Sequence, residues 1–212
     1  MFQIQAFVFN FASENTYILF NENKNAWLID PGNMSQQETD LIHNFIKEKD
    51  LNITKIILTH AHIDHVLGLQ WAFDTFKVPV TLHKDDQEVL DMLPASGIRF
   101  GMHIAPVKVE TEYVNEGDIL DFDGEKFKIY HVPGHSPGSV VYHNETQNFI
   151  ISGDVLFEGS IGRTDLYKGN YAQLIEGIKT KLFVLDDKTQ VFSGHGKHTT
   201  IGFEKQYNPF LK

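Results

Sequence analysis

The chain has 212 residues, with 42% hydrophobic and 22% charged residues, which favours one globular domain with a substantial core. The absence of cysteine excludes disulfides and thiolate metal ligands and fits a reducing compartment, and the net charge of −10 argues against a nucleic-acid partner. Because the first residues lack the features of a secretory signal and no apolar run approaches the ~20 residues of a membrane span, we expect a cytoplasmic protein with no membrane partner.

The first half of the chain mixes predicted strands and helices. Aromatic and β-branched residues predict strands over 2–9 and 15–20, and a third strand over 26–29 ends at the turn Asp30-Pro31-Gly32. Ser35 is a candidate cap for a helix over 36–48. The pattern then predicts a strand over 53–58, a helix over 66–76, a strand over 78–82, a helix over 85–93 that stops before Pro94, and a loop over 94–112 that covers a site.

The second half of the chain is richer in short strands. Alternating hydrophobicity and turn residues predict strands over 119–122, 126–131, 139–144 and 148–152, a helix over 171–184, a strand over 189–192 and a short helix from about 200. Two sheets packed face to face with helices outside would satisfy this order. No repeat or linker interrupts the chain, so we predict a single domain over 1–212.

The densest group of metal-binding side chains is His60-Ala61-His62-Ile63-Asp64-His65. It directly follows the apolar segment 56–59, which is typical of a buried strand. Side chains alternate along an extended chain, so His60, His62 and Asp64 can leave one side of the backbone. Imidazole nitrogen and carboxylate oxygen suit a borderline divalent ion, and zinc is the default, although iron or manganese tolerates the same ligands.

Three further candidate ligands, His135, Asp154 and His195, each follow a glycine at the end of a predicted strand. A glycine there lets the backbone turn sharply toward a crowded site. Seven ligands suit two metal ions about 3.5–4 Å apart that share a bridging carboxylate and hydroxide. The natural division gives one ion to His60, His62 and His135, gives the other to Asp64, His65 and His195, and places Asp154 between them.

These residues together resemble the metallo-β-lactamase superfamily. The resemblance rests on Thr59–His65 with Gly68, on Gly134-His135-Ser136, on Gly153-Asp154 and on Gly194-His195. It implies an α/β (α+β) fold, the four-layer αββα metallo-β-lactamase sandwich, with the metal site at one edge of the two sheets. Within the superfamily the chain is most similar to glyoxalase II, the hydroxyacylglutathione hydrolases, in their short single-domain bacterial form without the C-terminal helical glutathione-binding domain.

The resemblance implies a thioester hydrolase that cleaves an S-lactoylglutathione-like small molecule by attack of a metal-bridging hydroxide, with Asp64 orienting the nucleophile or accepting its proton. Asp30 and Thr59 would orient ligands by hydrogen bonding. Arg163 stands where the family has a lysine that contacts glutathione. The family also has two tyrosines that contact the thiol carrier, and their positions fall near Asp165 and Lys197, neither of which is a tyrosine. The resemblance therefore supports thioester hydrolysis better than glutathione specificity. Arg163 and Lys197 are the candidate substrate contacts.

Three alternatives remain open at the level of sequence. A persulfide dioxygenase of the same fold would use one iron on His60, His135 and Asp154; its last histidine is typically followed by Asp-Tyr, whereas Gly196 and Lys197 follow His195 here. A lactonase would use the same metals, and a metal-binding module without catalysis would lack a suitable pocket. The remaining histidines have no motif, and Asp74, Asp85 and Asp121 are interpreted as solvated or turn residues; these histidines are His43, His83, His103, His131, His143 and His198.

Overall fold

Strands β1 to β6 form a mixed sheet from the first half of the chain in the computed structural model. The structure describes residues 2–212, so Met1 lies outside the described part of the predicted domain. The sheet order follows the chain order. Pairing is antiparallel from β1 to β3 and parallel from β3 to β5. The strands are β1 Gln3–Phe9, β2 Glu14–Phe20, β3 Asn25–Ile29, β4 Asn52–Ile57, β5 Val80–His83 and β6 Thr111–Val114.

Five α-helices belong to the same half of the chain. They are α1 Gln36–Glu48, α2 Ile63–Val66, α3 Leu69–Phe76, α4 Gln87–Asp91 and α5 Leu93–Arg99, with a 3₁₀ turn over Lys84–Asp86. Helix α1 begins as predicted, because Ser35 and Glu38 cap each other's backbone N–H groups. Burial raises the pKa of Glu38, but hydrogen bonds from the backbone N–H groups of Ser35, Met34 and Asn10 outweigh that effect and lower it.

A second sheet contains strands from the other half of the chain, in the order β14-β13-β10-β9-β8-β7, and β11 pairs with β12. The strands are β7 Ile119–Phe122, β8 Glu125–His131, β9 Val140–Asn144, β10 Phe149–Gly153, β11 Leu156–Phe157, β12 Ser160–Ile161, β13 Gln190–Ser193 and β14 Thr199–Thr200. The helices are α6 Tyr171–Gly177, which continues into a π-helical turn over Ile178–Leu182, and α7 Ile201–Tyr207.

The described chain forms two compact units, each with its own core. One unit combines the chain up to Leu82 with Gln87–Tyr113, and the other combines His83–Asp86 with Val114–Lys212. Fully buried apolar side chains from the strands and helices of each unit form its core: Ile18, Leu28, Ile42, Ile56 and Leu69 in the first, and Val141, Ile150, Leu174, Ile178 and Val191 in the second. Within residues 2–212, no helix combines the length and the apolar character needed to cross a membrane.

Two helices predicted in the first half of the chain have different boundaries in the structure. Proline is tolerated in the first turn of a helix, where its missing N–H has no intrahelical partner to lose, so Pro94 lies inside α5 and does not end a helix. The predicted loop over 94–112 is therefore helical up to Arg99 and contributes β6 near its end. The helix predicted over 66–76 is two helices, and the first of them starts earlier, at Ile63.

Candidate metal centre

The early cluster begins in the loop after β4, with His60 and His62, and continues into α2, with Asp64 and His65. The ring of His60 lies 4.8 Å from the ring of His62 and 4.1 Å from that of His65, measured between centroids. His65 Nε2 lies 3.9 Å from Asp64 Oδ2. The first unit therefore brings its four predicted ligands together.

Asp30 lies beside this cluster because β3 and β4 are parallel and end at the same edge of the sheet. Its Oδ1 accepts a hydrogen bond from the Thr59 backbone N–H at 2.7 Å, and its Oδ2 accepts the Thr59 hydroxyl at 2.6 Å. The same Oδ2 is 3.1 Å from His65 Nδ1. Asp30 can thus fix the tautomer and the orientation of the His65 ring, which is the role proposed for it from the sequence.

Glu14 is a buried carboxyl group beside His65 that the sequence analysis did not identify. Its Oε1 lies 3.9 Å from His65 Nδ1, and its Oε2 accepts a hydrogen bond from Thr16 at 2.9 Å. Burial raises the pKa of Glu14 well above its ordinary value, and nearby His65 only partly opposes this. A polar Glu-Asn-Thr run at the start of a fully buried strand was the signal available in the sequence.

The second unit brings its three predicted ligands together at the end of parallel strands β10 and β13. Asp154 directly follows β10, and His195 lies two residues beyond β13. The Gly194 N–H donates to the Gly153 carbonyl at 2.9 Å and keeps the two segments adjacent. Asp154 Oδ2 lies 3.4 Å from His195 Nε2 and 3.4 Å from His135 Nε2. One carboxylate therefore lies between two imidazoles.

His135 reaches Asp154 from the loop that follows β8. Its Nδ1 donates to the Arg163 carbonyl at 2.8 Å, and this fixes Nε2 as the nitrogen that faces Asp154. Gly134 and Gly153, which precede His135 and Asp154, have φ angles of 133° and 49°. A φ of 133° is essentially restricted to glycine, so Gly134 is needed at this turn, and Gly153 lies in the left-handed region that glycine adopts most readily.

Asp86 anchors the loop that carries His135, and the sequence analysis also did not identify it. Its buried Oδ1 accepts the Ser136 hydroxyl at 2.6 Å and the Gly138 N–H at 2.5 Å. Both donors lie within three residues of His135. The single carboxylate therefore ties this loop to the 3₁₀ turn that follows β5.

We expect Asp86→Ala to lower the free energy of unfolding by about 2–4 kcal/mol, because it leaves two buried donors without their acceptor. Asp86→Asn retains an oxygen that can accept both hydrogen bonds and should lose distinctly less. Urea denaturation of the two variants and the wild type measures this difference. An Ala variant as stable as the wild type would show that Asp86 does not anchor the loop.

The two predicted substrate contacts lie on exposed segments of the second unit. Arg163 forms a bidentate ion pair with Asp165, with both N–O distances 2.7 Å. The hydrogen bond from Arg163 is the largest cause that lowers the pKa of Asp165, to about 2. Lys197 is exposed. A role in substrate binding stays a prediction for both residues.

The donor set of each unit fits a divalent cation. Because His135 donates through Nδ1, the lone pair on its Nε2 faces an oxygen of Asp154. His65 faces Asp64 in the same way when its Nδ1 donates to Asp30. A cation stabilises such pairs of electron-rich atoms, and imidazole with carboxylate is the set preferred by zinc and iron. The convergence of both donor sets on one pair of ions stays a prediction.

Comparison with known proteins agrees with this chemistry. The profile of the metallo-β-lactamase superfamily matches residues 10–195. Hydroxyacylglutathione hydrolase GloC of Haemophilus influenzae is 39% identical over 200 residues, which cover 93% of this chain and 92% of that protein.

Two solved structures are similar over nearly the whole chain. The crystal structure of BLEG-1 B3 metallo-β-lactamase has a TM-score of 0.91 and 37% identity, covering 99% of this chain and 100% of that one. The structure of TTHA1623 in a di-iron-bound form has a TM-score of 0.87 and 32% identity, with coverages of 98% and 100%. These matches confirm the predicted fold class, a mixed α/β structure with two sheets and helices, and the chain belongs to the metallo-β-lactamase superfamily.

Proposed function

We propose that the protein is a dinuclear metal-dependent hydrolase that cleaves S-lactoylglutathione-like thioesters. The observation that carries the proposal is the position of the Asp154 carboxylate, 3.4 Å from the metal-facing nitrogens of both His135 and His195. A carboxylate shared between two histidines suits a bridging ligand in a site with two ions. The similarity to a hydroxyacylglutathione hydrolase supports the choice of thioester.

Each proposed ligand has a defined task. His60, His62 and His135 would hold one ion, and Asp64, His65 and His195 would hold the other. Hydrogen bonds from ring nitrogens to Asp30 and to the Arg163 carbonyl keep His65 and His135 in one tautomer. Ligands that are fixed before the metal binds lose little conformational freedom on binding. Zinc remains the default, and the di-iron form of TTHA1623 supports iron as the alternative.

When bound, two divalent ions would lower the pKa of water and polarise the thioester carbonyl. The protein supplies orientation. Asp64, whose side chain is 16% exposed, would orient the attacking water and accept its proton. Its backbone carbonyl accepts a hydrogen bond from the Asn10 side chain at 2.8 Å, which fixes the start of α2. Attack on the carbonyl carbon then breaks the carbon–sulfur bond and releases a carboxylic acid and a thiol.

The thiol carrier is a separate question from the reaction. Arg163 is the candidate contact for a carboxylate of the carrier, but Asp165 already binds its Nε and one of its two Nη nitrogens. A glutathione carboxylate would have to displace Asp165 or bind the edge of the guanidinium formed by its two Nη nitrogens. Cleavage of the thioester does not depend on Arg163, whereas recognition of a glutathione carboxylate at this position would.

Hydrolysis of β-lactams is the second candidate, because BLEG-1 is 37% identical over almost the full length of both chains. Both reactions attack a carbonyl carbon with water. They differ in the leaving group, which is a thiolate in the thioester and a ring nitrogen in the β-lactam.

The test is a substrate panel with protein loaded separately with zinc and with iron, beside elemental analysis. The panel contains S-lactoylglutathione, acetyl-coenzyme A, a chromogenic cephalosporin, an acyl-homoserine lactone and glutathione persulfide. We expect thiol release from S-lactoylglutathione, detected with a thiol-reactive dye, and two ions per chain. Hydrolysis of the cephalosporin or lactone alone would overturn the choice of substrate. One iron with rapid oxygen uptake on the persulfide would overturn the hydrolase, and so would a failure to turn over any substrate.

A further inference from the structure

A second group of metal-binding side chains lies within the second unit, apart from the seven ligands described above. His83 ends β5, Asp85 lies in the following 3₁₀ turn, and His131 ends β8. One ring nitrogen from each histidine and one carboxylate oxygen of Asp85 lie within 4.8 Å of one another. The two imidazoles stack face to face, with centroids 3.9 Å apart and planes 15° from parallel. No motif in the sequence connected these residues.

Burial and charge around these side chains suit a cation. His83 is only 5% exposed, whereas the Asp85 side chain is 48% exposed, so the group lies where a buried ring meets solvent. Asp85 contributes the negative charge, with its Oδ2 3.7 Å from His83 Nδ1.

His131 is oriented in the way that metal-binding histidines usually are. Its Nε2 donates to the Pro137 carbonyl at 2.8 Å, which leaves the lone pair on Nδ1. Metal-binding histidines commonly donate the other ring N–H to such a carbonyl, and His135 uses the Arg163 carbonyl similarly. The His131 backbone N–H is fixed by Glu116 Oε2 at 2.7 Å.

A purely structural explanation accounts for less of this arrangement. The Asp85 N–H donates to His83 Nδ1 at 3.3 Å, so His83 could simply close the turn. That distance is beyond the usual range for an N–H donor, so the bond is weak. It explains neither the parallel contact with a second histidine nor the carboxylate beside both rings. Ligand nitrogens around tetrahedral zinc lie ~3.3 Å apart with their lone pairs in the ring planes, so His83 and His131 must turn out of the parallel stack for both nitrogens to face one ion.

We propose that His83, Asp85 and His131 form a further binding site for one borderline divalent cation such as Zn²⁺. Two imidazoles and one carboxylate leave a fourth position for water, and this donor set disfavours Mg²⁺ and Ca²⁺, which prefer oxygen ligands. Lys84 adds a positive charge beside His83. We therefore expect weaker binding than at the site with seven ligands. The ion would hold the His131 ring, and hence Pro137 in the loop that carries His135.

The test is a zinc titration of protein whose tight metal sites are already saturated, with the binding measured by isothermal titration calorimetry. We expect one additional ion in the wild type and at least a tenfold weaker affinity in Asp85→Asn. Asp85 is 48% exposed, so this substitution should not disturb folding. Asp121→Asn, which also changes an exposed aspartate of the second unit, is the matched control and should bind like the wild type.

Anomalous diffraction at the zinc edge then locates the ion. Density between His83 and His131, retained in Asp154→Ala, supports a site independent of the catalytic one. The proposal is overturned if the wild type binds no additional ion, or if Asp85→Asn binds it with unchanged affinity. These outcomes do not depend on turnover, so a failure here is separable from a failure of the proposed hydrolase.

Discussion

Asp154→Ala is expected to reduce hydrolysis of S-lactoylglutathione by about a thousandfold or more, with the metal content falling from two ions per chain toward one. Asp154 Oδ2 is 3.4 Å from both His135 Nε2 and His195 Nε2, so one substitution removes the shared negative charge from both. A correctly held metal pair contributes several kcal/mol to transition-state stabilisation, and each 1.36 kcal/mol is about tenfold in rate.

Two further variants separate charge from structure in this experiment. Asp154→Asn keeps the size of the side chain and one oxygen but loses the charge, so it should retain the fold and bind the second ion weakly. Asp121→Asn changes an exposed residue of β7 and should leave both turnover and metal content unchanged. Steady-state kinetics and elemental analysis are measured together, with thermal melting as the check on folding. Turnover by Asp154→Ala close to that of the wild type would contradict the proposed site.

The elements that could be predicted from sequence are those set by local pattern. Ser35 and Glu38 mark the start of α1 because the capping box is a contact between residues three apart. Strands β4, β10 and β13 were recognised from short apolar runs, and their ends gave the positions of the ligand candidates. The π-helical turn over Ile178–Leu182 and the two-residue strands β11, β12 and β14 have no comparable local signal, since tertiary contacts determine them.

The residues that support the candidate site depend on contacts between distant positions. Asp86 bonds to Ser136 and Gly138, about fifty residues further along the chain. His83 and His131 are similarly far apart, and each alone is an ordinary histidine. A single sequence contains no pattern that joins such partners. The candidate ligands were predictable because four of them form a dense cluster after a strand and the other three each follow a glycine near the end of a strand, whereas the residues that orient them are recognisable only once the chain has folded.

Gly162→Ala is expected to have an effect comparable to the loss of a ligand, although Gly162 carries no functional group. A Cβ atom at this position would collide with the Asp154 backbone carbonyl and come within 3.0 Å of the His135 Cβ and Cγ. Neither neighbour is the free end of a flexible side chain, so the backbone after β12 or the two ligands must shift. Shifts of about 1 Å in a catalytic group can cost on the order of a hundredfold in rate.

Gly159→Ala is the control, because a Cβ there meets nothing within 4 Å, although Gly159 has a φ of 68°. We expect a loss of about 1 kcal/mol of stability from that backbone strain and little change in turnover. Gly162→Ala should instead lose turnover and metal affinity together, since the substitution displaces Asp154 and His135 at once. Kinetics, calorimetric zinc titration and urea denaturation of both variants distinguish these effects. Equal behaviour of the two variants would contradict a specific role for the space at Gly162 in holding the metal ligands.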